Sequence, residues 1–425
     1  MIIQAYLGLE ERFSVLDQKG CEWLQLNFAG AQAEVLREGG FKFIGVEQLT
    51  AGDEPRQVSS FPEKLKHLTL VNDKLISALT QQRFKRFEVA LSSPEITREQ
   101  KVTQVNALAA KVKAGVVVRE KAVNAIESVM DGLAQGISDL KSLDPLVDSI
   151  VENEYADAMG ALATLKENNH TYGHCVDVGA IFTGVYEKIC LAKGRVSAFR
   201  DTKEAFLAGL LHDVGKSMIP KSILESTVSF EKDSPEMKQL RSHPEKSAQL
   251  LEELKMPSVM VNMALYHHVK VDGQVYSSYP RKAEQSKVSY EARLLGIIDV
   301  YQALIGRRPY KKSWTAPAAM RYLDALAGIE FDEDVLDDFV DIMGLYPLGS
   351  FVVLSDGTQG FVMNVPEEPS RPLVAVVKGP QGEKVSPANL IDLATQKDLK
   401  ITNEIDPVEV FGPGALDEFT ALKVS

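Results

Sequence analysis

The chain has 425 residues, 45% of them hydrophobic and 25% charged, ordinary proportions for a soluble globular protein that exclude disorder and fibrous structure. Forty-seven Lys and Arg against fifty-nine Asp and Glu leave a net charge of −12. That excludes a general nucleic-acid binder, but not a single phosphorylated ligand held in a local basic pocket.

The three cysteines, Cys21, Cys175 and Cys190, are far apart and form no CxxC pair. They fit a reducing compartment and offer no thiolate zinc site. The opening MIIQAYLGLEER lacks the basic start and apolar core of a signal peptide. No uncharged apolar run reaches the roughly 18 residues that a membrane helix needs. A cytoplasmic protein without a membrane partner is expected.

Residues 1–95 mix short apolar runs such as FKFIGVEQL and FKRFEVAL with polar turns, which predicts a small α+β N-terminal domain. Pro94 marks its end. A helical linker is expected over 96–150. Its apolar residues Val102, Val105, Ala109, Val112, Val116, Val123, Ile126, Met130, Leu133, Ile137 and Leu140 recur in steps of three and four, interrupted at Arg119. Such a seam over 102–140 fits either a homodimer contact or a helix packed on its own neighbouring domain. Gly115, Gly132 and Gly136 weigh against a coiled coil.

Residues 151–340 read as nearly all helix, with breaks at Gly215, Pro220, Pro235, Pro257 and Pro309. From Tyr346 the period becomes two. SFVVLSDG, QGFVMNV and PLVAVVKG are strand-like runs parted by turn residues, so 341–425 should be a small β-rich C-terminal module.

Six of the seven histidines, all but His67, lie between 170 and 268. Histidine is the commonest metal ligand, so this clustering points to a metal site. His170 and His174 are spaced to share one helix face. His212 and Asp213 follow the apolar run AFLAGLL, with Gly215 placed to terminate the helix. His243 precedes Pro244 at the start of a helix, and His267 and His268 close VNMALYHH. Asp299 stands among Leu294, Leu295, Ile297, Ile298 and Leu304, where an unpaired carboxylate is costly. Each residue alone fits an ordinary structural role. Together their neutral nitrogens and anionic oxygens fit two divalent transition metals, Fe ahead of Mn and Zn less well. Two such ions can clamp the attacking and leaving oxygens of a phosphoryl displacement.

His174, HDVGK at 212–216, His243-Pro244, HHVKVDGQVYSSYP at 267–280, Asp299 and RRPYK at 307–311 together resemble the HD-GYP family, bacterial phosphodiesterases of the HD superfamily that hydrolyse cyclic di-GMP. The resemblance covers roughly 155–325. It implies a mainly α fold, with an all-helical HD-type metal-binding domain over 151–340 as the catalytic unit. It places His174, His212, Asp213, His243, His267, His268 and Asp299 on metal-ligand positions, with Asp213 bridging both metals. His212, Asp213 and Lys216 become the catalytic set. Lys216, Arg308 and Lys311 fall on phosphate-contacting positions, and Asp272 and Tyr279 in the ligand-recognition loop.

The sequence departs from the family at three points. His170 stands where members with a third metal have Glu, so a two-metal site is expected. Val269 replaces a usual Glu, and the GYP segment is altered: either Ser278 replaces its Gly after a three-residue insertion, or Tyr276 takes the tyrosine place. Cys175-Val176-Asp177 stands where a basic residue is common. The implied function is hydrolysis of cyclic di-GMP to pGpG and/or GMP in bacterial second-messenger signalling, with residues 1–95 as an N-terminal regulatory domain. The alternatives are a catalytically weak metal- and nucleotide-binding scaffold or another HD-superfamily phosphohydrolase.

Overall fold

The structure, a computed structural model, describes residues 97–424 except 138, 153–160, 162–164, 166–170, 225, 227–229, 232, 272–284, 307–312 and 365–369, together with three earlier strands. Those strands, β1 (Arg12–Leu16), β2 (Trp23–Asn27) and β3 (Ile44–Gly45), form an antiparallel sheet in the order β2-β1-β3.

Helix α1 (Arg98–Ala134) opens with a capping box. The Thr97 side chain accepts from the Gln100 amide, and the Gln100 side chain accepts from the Thr97 amide. At about 1.5 Å per residue its 37 residues span some 55 Å. The helix ends at Ala134, and Gly136 takes a positive φ of 80° that ordinary residues avoid. Ile137 and Leu140 therefore lie beyond it, and the continuous 102–140 seam of the sequence reading is cut short.

The seam is buried within the chain's own fold. Val105 and Val112 pack against the C-terminal module, whereas Ala122, Ile126, Met130 and Leu133 join the helical core. Of the two readings of this seam, packing on the chain's own domains is the one observed.

The helical core holds α2 (Asp144–Glu152), α3 (Thr171–Lys193), α4 (Thr202–Leu210), α5 (His243–Glu253), α6 (Ser258–Tyr266), α7 (Tyr290–Ile305), α8 (Ala316–Ala325) and α9 (Glu333–Met343). Every residue from Gly173 to Thr183 of α3 is buried, as expected of a central helix hydrophobic on most sides. It crosses α4 at two glycines. A Cβ on Gly209 would stand 2.7 Å from the Gly179 Cα, so the helices meet backbone to backbone. Asp201, Ser289, Thr315 and Asp332 cap the starts of α4, α7, α8 and α9 with side-chain oxygens.

Strands β4 (Phe351–Leu354), β5 (Gln359–Val362), β6 (Leu373–Lys378), β7 (Lys384–Asp392) and β8 (Ile401–Ile405) form an antiparallel sheet in the order β7-β6-β5-β4-β8. Alternation puts Phe351, Phe361, Ala375 and Val377 on the face packed with α1 and with Phe419 of α11 (Ala415–Thr420), which follows α10 (Pro407–Phe411). Val352, Val362, Val374 and Val376 fill the other face. The expected mainly α fold with a β-rich C-terminal module is what the chain adopts.

Candidate metal centre

Five segments bring the predicted residues to one point. His174 comes from α3, His212 and Asp213 from the turn after α4, and His243 from the first position of α5. His267 and His268 follow the end of α6, and Asp299 sits mid-way along α7. All but His268 are buried, and His268 is nearly so.

Gly215 does not terminate the preceding helix as expected. That helix ends at Leu210, and Gly215 lies in a 3-10 turn over Val214–Met218. Its role is close approach: a Cβ there would stand 2.3 Å from the Ser247 amide nitrogen and 2.5 Å from the His243 carbonyl oxygen. The Gly215 amide donates to Ser247 Oγ at 2.8 Å, locking the His212–Asp213 turn onto α5. Gly296 acts similarly, since a Cβ would lie 2.3 Å from the His267 carbonyl oxygen.

Two neighbouring groups result, His243–His267–His268 and His174–His212–Asp213, each with ligand atoms within 4.8 Å of one another. Asp213 lies between them. Its Oδ1 is 3.0 Å from His243 Nε2 and 3.9 Å from His267 Nε2, and its Oδ2 is 3.4 Å from His212 Nε2 and 3.7 Å from His174 Nε2. Asp299 Oδ1 approaches His174 Nε2 at 2.9 Å, and its Oδ2 is 3.7 Å from His268 Nδ1.

The protons of these rings are already committed. His212 Nδ1 donates to the Gly209 carbonyl at 2.6 Å, His243 Nδ1 to Leu240 at 2.6 Å, and His267 Nδ1 to Ala264 at 2.9 Å. In each neutral ring that leaves a lone pair on Nε2. The Nε2 atoms of His243 and His267 face each other at 3.4 Å, and those of His243 and His268 at 3.2 Å. Buried His212 Nε2 and Asp213 Oδ1 have no hydrogen-bond partner. These two buried, unpartnered polar atoms are costly by themselves and are what a cation relieves. The donor set therefore fits divalent transition metals, and carries no thiolate. Cys175 is buried nearby, with its thiol pushed up by burial and then by the Asp213 charge.

The electrostatics agree at the carboxylates and at His267 and His268, whereas at His212 the carboxylates favour a proton that a cation in the site would replace. Burial opposes the charge on Asp213, yet Lys216 and then His212 and His243 hold its carboxyl well below the usual range. Burial is likewise overruled at Asp299 by His174 and His212. Burial also works against a proton on His212, but Asp213 and Asp299 lift it to about 9. Burial, with the neighbouring His212, pushes His267 down to about 3, and burial and His267 hold His268 well below its ordinary value. The Lys216 ammonium pairs with Asp213 Oδ2.

A cleft of 400 Å³ opens beside His268 and Asp299. Lys270 and Glu330 pair across it, as do Arg293 and Asp332 at 3.4 Å. Val271 lines it and leads directly into 272–284. The expected site residues Asp272, Tyr279, Arg308 and Lys311 lie outside the described residues, as does His170.

Sequence reasoning missed Gln302. Its amide oxygen accepts from His174 Nδ1, and its nitrogen donates to Asp177 Oδ2 at 3.2 Å. The available signal was its place three residues after Asp299, on the same face of an apolar helix.

Residues 160–335 match the family model for the HD domain, and 351–412 match that for a KOW domain associated with the HD domain. The helical segment that carries the centre thus matches the model for the HD domain, the domain type that the motifs resemble. Among similar proteins, a cyclic di-GMP phosphodiesterase of Pseudomonas aeruginosa is 32% identical over 281 residues, 64% of each chain. The cyclic di-GMP phosphodiesterase response regulator RpfG of Xanthomonas campestris pv. campestris is 37% identical over 133 residues, 31% of this chain and 34% of that one. The 3'3'-cGAMP-specific phosphodiesterase 3 of Vibrio cholerae is 25% identical over 332 residues, 74% of this chain and 66% of that one. The chain spans less than two thirds of the length of these relatives. Among the described residues, no helix is long and apolar enough to cross a membrane.

Proposed function

We propose that this chain is a metal-dependent phosphodiesterase that opens cyclic di-GMP to pGpG and carries it onward to GMP. The observation that carries the reading is the convergence of five imidazoles and two carboxylates, with ring protons tied back to the main chain. The names of the relatives supply the substrate class.

His174, His212 and Asp299 would hold one divalent metal, and His243, His267 and His268 a second, with Asp213 turning one oxygen to each. Fe fits this set ahead of Mn, with Zn third. Bound there, such metals supply a nucleophile at neutral pH and offset the charge of a phosphodiester. The chain's own residues do the rest. The carbonyls of Gly209, Leu240 and Ala264 aim the imidazoles, and Gly215 and Gly296 allow their elements to close. Lys216 stands at the Asp213 oxygen, where an ammonium can meet a phosphate oxygen. Arg308, Lys311, Asp272 and Tyr279 are assigned to substrate binding by their motifs, and residues 1–95 to regulation.

The test is direct. Protein purified anaerobically is analysed for Fe, Mn and Zn, then incubated with cyclic di-GMP or 3'3'-cGAMP while linear products are followed by chromatography. Metal-dependent pGpG or GMP is expected. The His212→Ala/Asp213→Ala variant should lose both metal and turnover. Full activity in that variant would sink the reading. Bound metal without product from either dinucleotide would favour the scaffold alternative.

A further inference from the structure

A buried chain of polar groups runs from the linker helix to the metal centre. Arg119 of α1 is buried, midway between the part of the helix packed on the C-terminal module and the part packed in the helical core. Its guanidinium grips Asp177 of α3 with two parallel bonds, Nε to Oδ1 at 2.6 Å and Nη2 to Oδ2 at 2.7 Å. Asp177 Oδ2 also accepts from the Gln302 amide nitrogen at 3.2 Å, and the Gln302 oxygen accepts from His174 Nδ1.

The direction of this chain is fixed by chemistry. An ionised carboxylate only accepts, so Gln302 must turn its NH2 toward Asp177 and its oxygen toward His174. An amide oxygen also only accepts, so the His174 proton must sit on Nδ1. In the neutral ring the lone pair is then on Nε2, 2.9 Å from Asp299 and facing the centre. Without Asp177 the amide is free to turn over. It would then present a donor to Nδ1, drive the proton to Nε2 and aim an N–H at the metal.

We propose that Arg119, Asp177 and Gln302 are positioning residues that set the tautomer of His174, and that through Arg119 the seating of α1 governs metal affinity. The proposal deepens the metal reading above and needs no particular substrate. It gives the linker a route to the centre other than moving a domain: withdrawing the guanidinium releases Asp177, and the change ends on a ligand nitrogen.

The test uses the full chain stripped of metal. Gln302→Met keeps the volume but offers His174 no acceptor. Arg119→Met/Asp177→Leu removes the ion pair as a unit, so that no buried charge is stranded. Metal affinity is measured by competition with a chromophoric chelator, apo stability by melting, and the His174 tautomer by nitrogen-15 NMR of histidine-labelled protein. Both variants should bind the metal at His174 about tenfold or more weakly, the usual cost of losing a group behind a ligand. The His174 signal should lose its Nδ1–H signature. Affinity within about twofold of the parent, or a lowered melting temperature with unchanged affinity, would mark a purely structural pair and overturn the proposal. Loss in Gln302→Met alone would overturn the link to α1. If the parent protein takes up no metal, the phosphodiesterase reading falls, and the tautomer still judges this one.

Discussion

His212 and His267 face the same carboxylates, and the site pulls their protons in opposite directions. Lifted to about 9, His212 contributes stability that is full below its unfolded value of 6.5 and is lost as the pH rises through 9. His267, pushed down to about 3, acts on the acid side. Below 6.5 the unfolded chain takes up a proton that the folded ring refuses, so stability falls toward pH 3. The melting temperature of metal-stripped protein should therefore peak near pH 6.5. A profile that is flat or rises steadily between about pH 5 and 9 would contradict this. At this scale the candidate ligand residues were legible because their clustering is rare and their motifs specific. The residues behind them were not. Arg119 was visible only as a break in a seam and Asp177 only as an odd charge beside His174. The bidentate contact that explains both joins positions 58 residues apart.

At the scale of the element, glycine decides how near two backbones can come. Gly296 lets α7 press against the His267 carbonyl, so the ligand after α6 and Asp299 on α7 share one site. Gly296→Ala must push these elements apart. It should cost roughly 1–3 kcal/mol, as overpacking does, and lower metal occupancy at the same time. Melting and elemental analysis of the one variant check both effects, and full occupancy in a destabilised variant would separate them. Helix positions followed from apolar spacing and caps. Helix ends followed less well: Gly215 reads locally as a terminator, whereas its missing Cβ serves a contact with α5 that no local pattern encodes.

At the scale of the molecule, α1 belongs to two cores. Its apolar spacing alone is satisfied equally by a second copy or by the chain's own domains, so the seam could be read in the sequence while its partner could not. Removing residues 351–424 should uncover Val105 and Val112 and provoke self-association, measurable by sedimentation. A monomeric truncated chain would show that this face tolerates water. The same arrangement has a consequence for how the protein is made. The Asn106 side chain accepts from the Val424 amide at 3.4 Å across a separation of 318 residues. At about 5–20 residues per second, the first half of α1 leaves the ribosome roughly a quarter of a minute to a minute before its last partner is synthesised. For that interval an early-formed helix carries a bare apolar stripe. The nascent chain is thus most exposed to misassembly and to capture by chaperones just before its C-terminal residues emerge.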